Sequence, residues 1–201
     1  MDLELNNKNV IVTGGSGGIG RGLVLEFAKE GANVISASRD TKQGALLEQE
    51  AAKQQLAGKV LAVATDVTDR ASVDAMIAGC HEAFGAVDIL VNNAAIMRRG
   101  KVTDSSDEDF DISVAVNVKA PFTLCRAAIP IMAATGGGAI VNIASCWGVH
   151  PGPDHAIYCM TKAAIASLTQ CMGRDHAHQG IRINAVCPNE VDTPMLRTGF
   201  E

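Results

Sequence analysis

Asn9-Val10-Ile11-Val12-Thr13-Gly14-Gly15-Ser16-Gly17-Gly18-Ile19-Gly20 is the stretch on which the fold turns. Its first five residues form a short β-branched run, which reads as a buried strand. The run breaks into glycines, and a helical pattern follows, with Ile19, Leu23 and Phe27 at i, i+4 and i+8. Gly31 ends that helix as its C-cap. Glycines between a strand and a helix allow a tight turn, close approach of backbone to a phosphate, and close helix–sheet packing. The helix N-terminus adds unpaired N–H groups that suit a pyrophosphate. Gly14, Ser16, Gly18, Ile19 and Gly20 are therefore candidate phosphate-binding residues. Their Gly-x-x-x-Gly-x-Gly spacing is wider than the usual Gly-x-Gly-x-x-Gly.

Working outward, the same alternation repeats. Residues 33–38 read as a second strand and residues 41–56 as a helix. Residues 59–65 read as a third strand, closed by Asp66-Val67-Thr68-Asp69. A helix follows with Val73, Ile77, Cys80 and Phe84 on one stripe. Residues 87–91 form a fourth strand that ends in Asn92-Asn93-Ala94-Ala95. Residues 98–104 read as a surface loop. Ser105 or Ser106 caps the next helix, which has acids in its first turn and carries Asn117. Pro121 opens or kinks the following helical stretch, which runs to about Thr135. Gly136-Gly137-Gly138 is a turn, and residues 139–144 form a fifth strand that delivers Ser145. A helix carrying Tyr158 follows, capped by Gly180. Residues 182–186 form the sixth strand, Pro188 ends it, and a loop runs to the C-terminus. Strands alternating with helices at this spacing require parallel pairing and right-handed crossovers. The predicted fold is α/β: an open, doubly wound parallel sheet, a Rossmann fold, in the order 3-2-1-4-5-6. With no internal linker or repeat, residues 1–201 read as a single domain.

Composition agrees and excludes several classes. Ala, Val, Ile and Gly dominate and aromatics are scarce, as buried parallel strands require. The formal net charge is −5, with 17 basic and 22 acidic residues, and no basic run suits a nucleic acid. None of the six cysteines forms a Cys-x-x-Cys pair or a zinc pattern, which points to a reducing, cytoplasmic compartment. The N-terminus has no signal-peptide core, and no apolar run is read as long enough to span a membrane. The five histidines show no ligand spacing, so no metal is expected.

Tyr158 and Lys162 are four residues apart on a strongly helix-forming run, so they share a face. A phenol titrates near pH 10, too high for ready proton exchange near neutrality. A cation within about 4–6 Å favours phenolate and is expected to lower that value. A tuned Tyr can then exchange a proton with a carbonyl or alcohol oxygen. Ser145, on a separate element, could donate a hydrogen bond to the same oxygen. The alternative is an ordinary helix, with Tyr in the core and Lys in solvent. Tyr158 is the only Tyr in the chain, which removes rival phenols.

The end of the second strand should read the ribose 2′ position of a dinucleotide. Ser38 and Arg39 stand there, and a hydroxyl with a guanidinium suits a phosphate. NADP is therefore expected over NAD. Asp40 follows and could neutralise Arg39, and the glycine loop adds no basic residue.

The glycine loop, Asn92-Asn93-Ala94, Asn117, Ser145 and Tyr158-x-x-x-Lys162 occur in this order over essentially the whole chain. Together they resemble the short-chain dehydrogenase/reductase family. The resemblance implies that Tyr158 is the acid/base, that Lys162 lowers its pKa and binds the nicotinamide ribose, and that Ser145 orients the substrate oxygen. It implies that Asn117 holds a water linking Lys162 to solvent. It assigns Asp66 and Val67 to the adenine, Asn92 to bracing the sheet, and Asn93 and Ala94 to the cofactor side near the adenosine ribose. Pro188, Val191 and Thr193 would contact the nicotinamide and pyrophosphate. The chain departs from the family pattern at Asn189 and Ala95, where Gly is usual. Members generally continue past Thr193-Pro194-Met195 with a lid helix, another helix and a seventh strand. This chain ends at Glu201, so the fold is expected to lack them.

Met97, Cys146, Trp147, His150 and His155 are candidate substrate contacts, and Arg98 and Arg99 could meet an acidic substrate or simply be solvated. The expected reaction is hydride transfer between a nicotinamide and the carbonyl or secondary-alcohol carbon of a small or medium substrate. The alternatives are a non-catalytic NADP-binding sensor or scaffold, and a reductase of carrier-bound β-ketoacyl thioesters. Family members pair through the helices carrying Asn117 and Tyr158, so a homodimer or homotetramer is expected. Leu124, Ile129, Met132, Leu168 and Met172 could form that face, or could simply cover the sheet.

Overall fold

The computed structural model describes residues 2–197. Six strands form one parallel sheet: β1 (Asn9–Thr13), β2 (Asn33–Ser38), β3 (Val60–Ala64), β4 (Ile89–Asn92), β5 (Gly138–Ile143) and β6 (Ile181–Val186). Their order is β3-β2-β1-β4-β5-β6, as the sequence predicts. The helices are α1 (Gly18–Lys29), α2 (Thr41–Lys53), α3 (Arg70–Phe84), α4 (Asp107–Val114), α5 (Ala120–Ala134), α6 (Ala156–His176) and the short α7 (Pro194–Arg197).

Alternate residues of a strand face opposite sides of a sheet. Val10, Val12, Val34 and Val91 meet Val24 and Ala28 of α1 and Leu47 of α2. Ile11, Ile35, Leu90 and Ile140 meet Val73 and Met76 of α3, Leu124 and Met132 of α5, and Met172 of α6. All five residues of β1 are therefore buried. Helix starts follow local chemistry: Asp40 accepts from Gln43 N, Asp69 from Ala71 N and Ser72 N, and Ser106 from Asp109 N. Cys80, Cys125 and Cys159 are buried, and burial pushes the first two thiols up to about 12.

Several expectations change. The core stripe of α1 is Gly20, Val24 and Ala28; Ile19, Leu23 and Phe27 lie one residue round and are only half-buried. Small residues permit the closest approach to the sheet, and the larger ones close its sides. Pro121 stands in the first turn of α5, as expected of a proline that opens a helical stretch, yet the chain does not leave the helix there. α4 runs into α5 through a widened π-helical segment, Ala115–Lys119, in which Ala120 N donates to Ala115 O. Pro121 has no N–H for the carbonyl four residues earlier, and the widened turn immediately precedes it.

The continuous helix Asp107–Ala134 is, by length and composition, long and apolar enough to cross a membrane, contrary to the sequence reading. Just over half of its most apolar window, 56 %, is buried inside the protein, so a core helix meets the same criterion. Leu124, Ile129, Met132 and Met172 belong to that core and cover the sheet, with Leu168 packed beside them. They are not an outward face. After Pro188 the chain forms α7 rather than loop alone. The expectation about its final residues lies outside the described residues.

A buried polar chain ties the elements that carry the site. Asn92 Nδ2 donates to Asn142 Oδ1 at 2.7 Å, Asn142 Nδ2 to Thr169 Oγ1 at 2.8 Å, and Thr169 Oγ1 to Ile165 O at 2.7 Å. β4, β5 and α6 are thus locked in register, as expected of a sheet-bracing Asn92.

Candidate active site

The C-terminal ends of the strands open onto a cleft of about 550 Å³. Ligands of doubly wound sheets bind at this edge. At its first end lies the loop after β1. Gly14 and Gly18 have left-handed backbones, with φ of 64° and 51°. A methyl on Gly20 would collide with the Gly14 carbonyl oxygen, so only glycine permits this crossing of loop and helix. Thr13 Oγ1 accepts from Asn93 N at 3.0 Å and Ala94 N at 3.1 Å, and Asn93 Nδ2 donates to Thr13 O at 2.9 Å. The end of β4 therefore braces the loop. The N-cap of α1 is Gly17, which has no side chain to cap it, and this leaves the first N–H groups of α1 at the cleft for an anion. Thr193 packs against Gly18 from the opposite side.

At the end of β2, Ser38 and Arg39 line the cleft. The Asp40 carboxylate accepts from Gln43 N at 3.0 Å and so caps α2. Asp66 accepts from both the N and the Oγ1 of Thr68, and these bonds hold its carboxyl below the usual range, with Arg39 assisting. An ionised acceptor and a guanidinium thus sit together where a nucleotide's adenosine would lie. These donors and the open glycine cradle fit a dinucleotide.

At the other end, β5 delivers Ser145 and α6 delivers Tyr158 and Lys162. All three line the cleft, with Met97, Cys146, Trp147, Pro188, Val191 and Thr193. Ser16, Ile19, Val67, Asn93 and Ala94 line the nucleotide end. The Trp147 N–H donates to Ser145 Oγ at 3.2 Å. Lys162 is buried, and its Nζ donates to Ile143 O at 2.7 Å and lies 5.7 Å from the Tyr158 ring centroid. Burial pulls Lys162 down to about 8.

The expected lowering of the Tyr158 pKa is not found. Burial raises it, because the phenolate loses solvation, and a Ser145 hydrogen bond opposes the rise. The neighbouring Cys146 and Cys159 add to the rise, and the Lys162 ammonium is turned to the Ile143 carbonyl oxygen.

Five predicted residues do not line the cleft. Gly20 acts from behind the loop. The Asn117 side chain clamps the cleft floor to α6: Oδ1 accepts from Ile96 N at 2.9 Å, and Nδ2 donates to Ile96 O at 2.8 Å and Thr161 Oγ1 at 3.1 Å. Both amide hydrogens are used, and Oδ1 keeps a second lone pair. His150 is exposed. His155 is buried behind Trp147, with ring centroids 4.3 Å apart. Arg98 pairs with Asp109 at 3.0 Å.

Sequence reasoning missed Ile112 and Val116, which also line the cleft. They form an i, i+4 apolar pair just before Asn117, a signal that could have been used. Glu190, Met195 and Leu196 line it too, in the segment after Pro188 that was expected there.

The family model described as "short chain dehydrogenase" matches residues 8–201. Oxidoreductase UcpA of Escherichia coli (strain K12) is 39% identical over 199 residues, covering 97% of this chain and 73% of that protein. The solved 3-ketoacyl-(acyl-carrier-protein) reductase from Brucella melitensis, complexed with NADH, is 34% identical. It has a TM-score of 0.91 over 96% of this chain and 80% of that one. L-Sorbose reductase from Gluconobacter frateurii, complexed with NADPH and L-sorbose, is 34% identical, with a TM-score of 0.92 over 96% and 73%. By sequence and by fold, the chain belongs to the short-chain dehydrogenase/reductase family of oxidoreductases.

Proposed function

We propose that the chain catalyses reversible reduction of a small or medium carbonyl compound, with NADP as the cofactor. The observation that carries this reading is the convergence of Ser145, Tyr158 and Lys162 on the cleft that also holds the braced glycine loop. A bound nicotinamide supplies or accepts the hydride. Ser145 Oγ donates to the substrate oxygen and holds it against the phenol. Tyr158 gives its proton to that oxygen in reduction and takes it back in oxidation. The phenol is protonated at neutrality, the state that gives up the proton in reduction. Lys162 stands beside Tyr158 as the local cation and binds the ribose. Gly14, Ser16, Gly18 and Ile19 hold the pyrophosphate, and Ser38 with Arg39 holds the 2′-phosphate.

The two solved relatives carry different cofactors, NADH and NADPH. Selection in this chain therefore rests on its own Ser38 and Arg39, which line the cleft. The likeness to a ketoacyl reductase supports a second reading, in which the carbonyl belongs to an acyl thioester.

A Tyr158→Phe variant tests the proposal. It should bind NADPH like the wild type, while turnover over a panel of ketones and β-ketoacyl thioesters falls at least about 100-fold. Undiminished turnover by the variant, or no turnover by the wild type on any carbonyl, contradicts it.

A further inference from the structure

We infer that His155 is a positioning residue: it holds the Trp147 indole against Tyr158, and that stack builds the substrate-side wall of the cleft. The inference rests on the proposed role of Tyr158. His155 stands just before α6, three residues before Tyr158, with no side-chain cap bond to that helix, and is 8% exposed. Its Nδ1 lies 2.6 Å from the Pro153 carbonyl oxygen, which requires the hydrogen to sit on Nδ1. Its backbone bridges to Gly100, and Gly100 N donates to Asp154 O at 2.7 Å. The ring is therefore fixed by its own chain and by the loop opposite.

That fixed ring meets Trp147 at 4.3 Å between centroids, with the planes inclined at 54°. Trp147 meets Tyr158 edge-on, at 6.3 Å and 84°. A side chain at position 152 would crowd the indole at 3.1 Å, so Gly152 closes a third side. Trp147 lines the cleft and His155 does not, so His155 acts through its neighbour.

The buried Nε2 has no hydrogen-bond partner among the described residues. Such a group calls for an explanation. Two demands meet at this position: an aromatic ring to pack, tilted, against the indole, and a donor for the Pro153 carbonyl. Phenylalanine meets only the first and an aliphatic residue neither; imidazole meets both and leaves Nε2 bare. Releasing the indole would admit water to the phenol. It would also loosen the turn whose Trp147 N–H donates to Ser145 Oγ.

Trp147 is the only Trp in the chain, so intrinsic fluorescence reports on it alone. Acrylamide quenching, NADPH affinity, thermal stability, kcat, KM and the pH profile should be compared in wild type, His155→Ala and His155→Phe. In His155→Ala, quenching should increase and KM for the carbonyl should rise about threefold to tenfold, the range of an aromatic pair. The Tyr158 limb of the pH profile should move to lower pH as the phenol is solvated, while NADPH affinity holds. His155→Phe should restore quenching and most of KM. Wild-type quenching and KM in His155→Ala overturn the inference. So does a parallel loss of stability, kcat and NADPH affinity with KM unchanged. If no form turns over any carbonyl, the oxidoreductase reading fails, and quenching alone still decides whether His155 holds the indole.

Discussion

Lys162 shows most directly how one residue trades stability for chemistry. Burial holds its ammonium near a pKa of about 8, against 10.5 for the free side chain. The unfolded chain therefore binds this proton more tightly than the folded one. The destabilisation is fully present below pH 8 and is relieved as pH rises from about 8 to 10.5, so stability from this group rises across that window. Lys162→Met, which removes the charge and keeps the bulk, should raise stability at pH 7 by about 2 kcal/mol and flatten that rise, while abolishing turnover. Denaturant melts at neutral and alkaline pH measure it; a less stable variant would contradict the account. Arg39→Ala should weaken NADPH binding about tenfold or more and leave NADH unchanged, because only the 2′-phosphate uses the guanidinium. Fluorescence titration checks both. The identities of Ser145, Tyr158, Lys162 and Arg39 were legible in the sequence, since each is a chemical type at a motif position. Their environments were not. Whether burial raises the phenol, or whether Asp40 turns to cap α2, depends on packing that spacing does not encode.

At the scale of elements, α1 carries the clearest test. A methyl at Gly20 meets the Gly14 carbonyl oxygen, whereas nothing lies within 4 Å of one at Gly22. Gly20→Ala should lower stability by about 1–3 kcal/mol and abolish dinucleotide binding. Gly22→Ala, on the exposed side of the same helix, should stabilise by about 0.5–1 kcal/mol through helix propensity and leave binding intact. Thermal melts with and without NADPH separate the two; equal effects would mean that the crossing at Gly20 is not tight. The sequence located this helix because strand, glycines and apolar period coincide. It misplaced the buried stripe by one residue, because large apolar side chains were taken as the core and Gly20 and Ala28 are the points of closest approach. The π-helical Ala115–Lys119 segment was illegible for a related reason: Pro121 signals a break, and the helix absorbs it by widening one turn.

For the molecule as a whole, the sheet order was legible because alternating strands and helices with right-handed crossovers leave few arrangements. What joins the two ends of the cleft was not legible. Asn142 is paired with Asn92 across β4 and β5 and reaches Thr169 on α6, a connection over 27 residues of sequence that no local pattern announces. Asn142→Ala would strip the Asn92 amide of its shortest partner and leave a cavity, and should cost about 2–4 kcal/mol in urea unfolding. A neutral result would mean that the polar chain is incidental to the register that brings Ser145 to Tyr158. The central claim is that this register places a phenol and a hydroxyl around a nicotinamide-dependent reduction. The most direct measurement is deuterium transfer from NADPH deuterated at the nicotinamide C4 to the product, read by mass spectrometry. The account predicts one deuterium on the new carbinol carbon with the wild type and no product with Tyr158→Phe. Product without deuterium, or equal product from the variant, would contradict it.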